Sequence, residues 1–426
     1  MQAFPDALPI LPKPPVDADV RVPGSKSLTN RALVVAALAA GRSRLDGCLL
    51  AEDSFVMLEA LNALGIETDR DGETVTVYGQ GGRVPAAAAD LDLRLSGTSI
   101  RFLTALVALG RGRYVLDGTE RMRERPVQDL LNALSSLGVD AQTQFETGCP
   151  PVVVNAVGLR GGTAEVAGGS SSQYLSALLM AAPYAETPVT LTVTGELQSK
   201  PFIDMTLNLM ADFGVTVERD GYRRFTVPPG PYRARAYGVE GDAMAAGYLW
   251  AAAAITGGRV RVENVGSASV QGDKRLASVL EQMGCRVTWT AETCEVVGTG
   301  TLRGGTFDLN DMSDQAQTLA VVALFANSPT RIENVWNLRI KETDRLSALA
   351  NELRRLGATV DEGHDYLVVE PLAPADARPA EVRTYGDHRM AMAFALAGLR
   401  LPGVVILEPA CVTKTFPAFF DVLAAL

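Results

Sequence analysis

The chain has 426 residues, 47 % of them hydrophobic and 21 % charged, and a formal net charge of −10. That length exceeds what one core fills, so two domains are expected, and the acidic balance argues against a nucleic-acid partner, which would want a basic face. Five scattered cysteines with no CxxC pair and only two histidines exclude a disulfide framework, a zinc site and a three-His metal centre. The N-terminus lacks a signal-peptide pattern and no apolar run reaches transmembrane length, so a cytoplasmic protein without a membrane partner is expected.

The first fifteen residues carry Pro5, Pro9, Pro12, Pro14 and Pro15 and read as an irregular arm before a short strand near 17–22. The chain then repeats itself. Amphipathic helices closing on a glycine are predicted at 57–65, 130–138, 207–214, 276–284 and 349–357, the glycines falling 70 to 76 residues apart. Each glycine is a candidate for the left-handed residue that ends a helix, and the alternating segment after it reads as a hairpin. A second helix, apolar nearly all round and so buried, is predicted in each unit at 31–40, 101–109, 174–182, 246–255, 318–326 and 390–399. A strand follows each. Six units with a truncated last one are most simply completed by joining the chain ends. The expectation is therefore a discontinuous domain, 1–22 with 236–426, and an inserted domain, 23–235, each built of three repeats.

The polar residues gather at the helix starts. Gly24-Ser25-Lys26-Ser27, Gly97-Thr98-Ser99, Ser171-Ser172-Gln173, Asp387-His388-Arg389 and their counterparts supply the Ser, Thr, Asp and Gly that capping favours. Capping does not account for Lys26, Arg31, Arg101, Arg125, Lys341, Arg345, Arg389 and Lys414, because a helix N-terminus already carries positive potential. The densest case is Asn-Leu-Arg-Ile-Lys-Glu-Thr-Asp-Arg at 337–345, read as the start of a helix in which Lys341 and Arg345 share one face and repel. Free N–H groups with Lys and Arg make anion sites, so substrates with more than one phosphate or carboxylate are expected. Asp314 and Glu342 lie among these cations and suit proton transfer. Their neighbours should keep them ionised until a bound anion offsets that bias.

These motifs, in this order, resemble the 5-enolpyruvylshikimate-3-phosphate (EPSP) synthases of the enolpyruvyl transferase family, along nearly the whole chain. The resemblance implies an α/β fold of two similar domains, each of three repeated βαβαββ units, an inside-out α/β barrel whose domains close over substrate. It implies transfer of the enolpyruvyl group of phosphoenolpyruvate to the 5-hydroxyl of shikimate 3-phosphate, with loss of phosphate and with neither cofactor nor metal. Shikimate 3-phosphate would be held by Lys26, Ser27, Arg31, Ser171, Ser172, Gln173, Ser199, Asp314, Asn337 and Lys341. Phosphoenolpyruvate would be held by Lys26, Gly97, Arg125, Gln173, Arg345, Arg389 and Lys414. Asp314 would act on the 5-hydroxyl, Glu342 would exchange a proton with the methylene carbon, and Lys26 would neutralise developing charge. A monomer is expected.

Two positions depart from the family pattern: Leu95 where Asn is common, and Phe202 where Tyr is common. Neither removes a charge, and both bear on substrate affinity and on the response to glyphosate. The related UDP-N-acetylglucosamine enolpyruvyl transferases carry a Lys-Asn pair near the start and a loop cysteine, against Lys26-Ser27 and a cysteine-free 110–125 here. A non-catalytic scaffold for phosphorylated ligands is the other rival; it leaves Asp314 and Glu342 without a purpose.

Overall fold

In the computed structural model, residues 4–426 apart from Ser170 are described. The chain divides into two compact units, Gly24–Val239 and Met1–Pro23 with Glu240–Leu426.

The inserted unit contains α1 (Lys26–Leu38), α2 (Glu52–Ala63), α3 (Gly97–Val107), α4 (Gln128–Ser136), α5 (Ser172–Ala181) and α6 (Pro201–Asp212). Helices α1, α3 and α5 are buried along almost every face and pack on one another, as their apolar sequences require. Three four-stranded sheets accompany them. Each has one parallel pair and an antiparallel hairpin: Ala88–Asp92 lies parallel to Arg111–Asp117, for example, which pairs with Val152–Val157 and through it with Asp140–Thr143. This is the inside-out arrangement, with helices in the core and sheets outside. The strand Ala236–Gly238 pairs with Ala40–Asp46, so the chain leaves this unit at Val239 rather than near 235, the boundary expected from the Pro-rich run. Strand pairing sets that boundary.

The discontinuous unit contains α7 (Ala243–Thr256), α8 (Leu276–Gln282), α9 (Ala316–Ala323), α10 (Arg345–Arg355), α11 (His388–Gly398) and α12 (Phe419–Ala425). Helices α7, α9 and α11 form its core, α7 being buried at all of its residues. Two of its sheets have four strands and the third has three. The strand Asp17–Val20 runs parallel to Arg259–Val262. Ala7–Ile10 pairs antiparallel with Val404–Leu407 at the edge of the third sheet. The arm predicted as irregular thus contains a strand, with Pro9 tolerated because an edge position can do without its N–H.

Two further expectations are corrected. The buried helices begin two to five residues earlier than predicted, so the polar residues occupy their first turns. The stretch 337–345 does not open a helix: a 3-10 turn, Trp336–Ile340, precedes an extended Lys341 at φ −87° and ψ −152°. Helix α10 starts at Arg345 behind Asp344, whose carboxylate accepts from Ser347 N. Lys341 and Arg345 therefore do not share a helical face; both cations instead meet Asp314 Oδ1. The closing glycines hold as predicted, Gly65, Gly138, Gly214, Gly284 and Gly357 all having φ between +81° and +112°.

Candidate active site

In the inserted unit, Gly97 is the first residue of α3, and a Cβ there would stand 2.7 Å from Arg125 Nη1 and Nη2. Only glycine lets the guanidinium lie against this helix start. One turn on, Arg101 Nη1 donates to Gln173 Oε1 at 2.7 Å, and Gln173 Nε2 donates to Thr98 Oγ1 at 3.2 Å. Ser171 caps α5 by accepting from Gln173 N, and Ser172 beside it is buried. These contacts bring Gly97, Arg125, Gln173, Ser171 and Ser172 into one group.

Arg31 is buried within α1 and donates to Thr206 Oγ1 at 2.8 Å, Ser27 O at 3.0 Å, Ser176 Oγ at 3.3 Å and Phe202 O at 3.3 Å. Burial pushes its guanidinium down to about 9, and the rings of Phe102 and Phe202 lie 5.1 and 5.7 Å away. These donations lie inside the unit, where Arg31 braces the backbone of Ser27 and Phe202. Ser199 sits at φ +57°, and its carbonyl accepts from Phe202 N, which ties it to the same group. Lys26 pairs with Asp53 Oδ2 at 3.2 Å across the first turns of α1 and α2.

The discontinuous unit holds a tighter assembly. Arg345, 1 % exposed, donates from Nε to Asp387 Oδ2 at 2.6 Å, from Nη1 to Asp314 Oδ1 at 3.0 Å and from Nη2 to Glu342 Oε2 at 2.9 Å. Asp314 also meets Arg389 Nη2 at 2.9 Å and Lys341 Nζ at 3.6 Å, while Glu342 Oε1 accepts from Lys414 Nζ at 2.9 Å. Asn337 Nδ2 donates to Ser313 Oγ at 3.1 Å, beside Asp314. Four cations and three carboxylates form one network. Burial would raise the Asp314 carboxyl, but Arg389, Lys341 and Arg345 outweigh it and hold it well below the ordinary range. Conversely, burial would weaken Arg345, and Asp387, Glu342 and Asp314 keep it firmly protonated.

Asp314, read from sequence as either a helix cap or an acid–base group, caps nothing: it lies in the 3-10 turn Asn310–Gln315, and its carboxylate is taken up by cations. The cap of α11 is Asp387, whose Oδ1 accepts from Arg389 N at 2.9 Å. Asp387 reads from sequence as a cap alone; its anchoring of Arg345, 42 residues away, leaves no local signal in the sequence. Asp53 was missed for the same reason, since its partner Lys26 is distant in sequence. His388 is fully buried at the start of α11, with its Nδ1 3.5 Å from Asp387 Oδ1.

Two such clusters at helix starts, each in a unit of three βαβαββ repeats, set cations beside carboxylates, the composition of an enzyme site for anionic small molecules. The chain matches the EPSP synthase (3-phosphoshikimate 1-carboxyvinyltransferase) family over residues 11–423 and belongs to it. It is 49 % identical over 409 residues to the 3-phosphoshikimate 1-carboxyvinyltransferase of Nostoc punctiforme, covering 95 % of each chain. To that of Shewanella amazonensis it is 46 % identical over 426 residues, covering 99 % of each. Its structure is similar to that of EPSP synthase from Acinetobacter baumannii, with a TM-score of 0.82, 27 % identity and 98 % of each chain covered. It shares the fold of the enolpyruvyl transferase NikO from Streptomyces tendae, with a TM-score of 0.77 at 21 % identity over 99 % of this chain and 97 % of that one. No helix among the described residues is long and apolar enough to cross a membrane.

Proposed function

We propose that the chain joins the 5-hydroxyl of shikimate 3-phosphate to C2 of phosphoenolpyruvate, through a tetrahedral ketal that then loses phosphate, using the two clusters described above. Lys26, Ser27, Ser171, Ser172, Gln173 and Ser199 of the inserted unit, with Asn337, Lys341 and Asp314 of the other, hold shikimate 3-phosphate, and Arg31 supports them from beneath. Gly97, Arg125 and Gln173, with Arg345, Arg389 and Lys414, hold phosphoenolpyruvate, and Lys26 serves both. The family membership and the agreement of these positions with its motifs support the assignment.

The observation that carries the mechanism is that Asp314 and Glu342 each bridge at least two cations. In the free protein they stand in for the ligand's anionic groups. When phosphate and carboxylate take over Lys341, Arg389 and Lys414, the cations no longer stabilise the two carboxylates to the same degree, and the carboxyl pKa values rise toward the range needed for proton transfer. Asp314 then accepts the proton of the 5-hydroxyl. Glu342 protonates the methylene carbon as the ketal forms and takes a proton back as phosphate leaves. The basic side chains neutralise the departing phosphate.

We infer a cytoplasmic monomer that needs no macromolecular partner. The test is phosphate release: purified protein given both substrates should release phosphate, and given either alone should not. Tight binding of both without release would support the scaffold reading instead.

A further inference from the structure

Two residues with no part in the mechanism above share a rare backbone conformation and a similar tether. Arg94 and Tyr385 have φ +49° and +55°, left-handed values that residues with side chains seldom adopt. Each stands three residues before the start of a buried helix, α3 at Gly97 and α11 at His388. Each is also tied to a glutamate of the preceding amphipathic helix. Arg94 Nη2 donates to Glu59 Oε2 of α2 at 2.8 Å, and Tyr385 Oη donates to Glu352 Oε1 of α10 at 2.8 Å.

The two ties differ in depth. The Arg94–Glu59 pair is open to solvent, where such a pair contributes little. Glu352 is fully buried, and a buried carboxylate must be met by donors. Its Oε2 accepts from Arg383 N at 3.1 Å and from Arg355 Nε at 3.0 Å. Two of its three donors thus come from the connection that leads from the strand Ala380–Val382 into α11. Seven residues earlier on α10, two helical turns away and on the same face, Arg345 Nε donates to Asp387 Oδ2 at 2.6 Å. The connection 383–387 is therefore fastened to one face of α10 at two levels. Between the fastenings lie Tyr385 and Gly386, both left-handed. A rotation there redirects the first turn of α11, which carries Arg389.

We propose that Glu352 and Tyr385 are positioning residues for phosphoenolpyruvate: their hydrogen bond holds the left-handed turn that aims the start of α11, and Arg389 with it, at the ligand. This rests on the assignment of Arg389 to phosphoenolpyruvate. Neither side chain has to touch the ligand. Without the bond the connection divides between aimed and misaimed arrangements, and the apparent affinity falls with the aimed fraction. Saturating phosphoenolpyruvate restores the aimed arrangement, so kcat is kept.

The experiment measures kcat and KM for both substrates in the wild type, Tyr385→Phe, Glu352→Gln, Glu352→Ala and Arg389→Ala. Tyr385→Phe removes one hydroxyl and should raise KM for phosphoenolpyruvate about three- to tenfold, the worth of one hydrogen bond, with kcat and the shikimate 3-phosphate KM near the wild type. Glu352→Gln can turn its oxygen to Arg383 N and its amide to the Tyr385 oxygen, so it should stay near the wild type. Glu352→Ala should rise at least as far as Tyr385→Phe; if it fails to fold, Tyr385→Phe decides alone. A merely structural pair would reduce the amount of folded protein, which lowers the rate per total protein and leaves KM unmoved. An unchanged phosphoenolpyruvate KM in Tyr385→Phe therefore overturns the proposal whatever happens to stability, as does an equal rise in KM for both substrates. An unchanged phosphoenolpyruvate KM in Arg389→Ala overturns the assignment of Arg389 and the proposal with it. A KM raised in Arg389→Ala, even beyond measurement, beside an unchanged Tyr385→Phe overturns the proposal alone.

Discussion

Replacing Asp387 by Ala tests whether the network in the discontinuous unit is held from the inside. Asp387 is fully buried, accepts from Arg345 Nε at 2.6 Å and Nη2 at 3.2 Å, and caps α11 through Arg389 N at 2.9 Å. Losing an N-cap costs about 1 kcal/mol. Removing one partner of a buried ion pair costs about 3–5 kcal/mol, and the lower end applies because Arg345 keeps Asp314 and Glu342. The sum is about 4 kcal/mol. The same change frees Arg345 to swing toward its other two carboxylates, so activity should fall together with stability. Asp387→Asn keeps the shape and a capping oxygen while losing the charge, and should recover the cap portion only. Urea unfolding, followed separately for each transition, gives the stability, and phosphate release gives the activity. A loss below about 1 kcal/mol for Asp387→Ala, the size of a cap alone, would leave Asp387 as nothing more than a cap.

Three further outcomes are expected. Gly97→Ala would place a methyl 2.7 Å from the Arg125 guanidinium, so Arg125 must shift; KM for phosphoenolpyruvate should rise with little change for shikimate 3-phosphate, as steady-state kinetics would show. Arg31→Lys would forfeit most of the four donations to Ser27, Ser176, Phe202 and Thr206 and should destabilise the inserted unit by about 2–4 kcal/mol, because buried acceptors are left unmet; an unchanged urea midpoint would contradict it. Asp314 is held well below the ordinary carboxylate range in the free protein, so its contribution to stability is present above its unfolded value near pH 4 and is lost as pH falls toward its folded value. Asp314→Asn should therefore flatten the acid limb of stability against pH, and an unchanged acid limb would count against the network.

The fold was legible because a repeat leaves the same marks again and again, six times for the apolar helices and five for the closing glycines. Apolar helices, closing glycines and alternating hairpins recur at one spacing, and each instance corroborates the next. The cations were legible too, since Lys26, Arg125, Arg345, Arg389 and Lys414 stand where capping has no use for them. What sequence could not supply was their company. Arg345 meets Asp387 across 42 residues and Lys414 meets Glu342 across 72, pairings set by how the repeats fold rather than by local spacing. Helical periodicity also misled at 337–345, where a 3-10 turn and the Asp344 cap place Lys341 outside the helix. At 7–10, prolines concealed a strand that an edge position tolerates. Arg31 reads as a ligand contact, and the packing adds four donations to its own unit that the sequence does not show.

Glu342, between Arg345 and Lys414, is the group proposed to move the proton on which enolpyruvyl transfer depends. Glu342→Ala leaves both substrates' cations in place, so the most direct measurement pairs phosphate release with calorimetric binding of shikimate 3-phosphate and phosphoenolpyruvate to that one variant. Turnover should be abolished while both ligands still bind; turnover near the wild-type rate would make Glu342 structural.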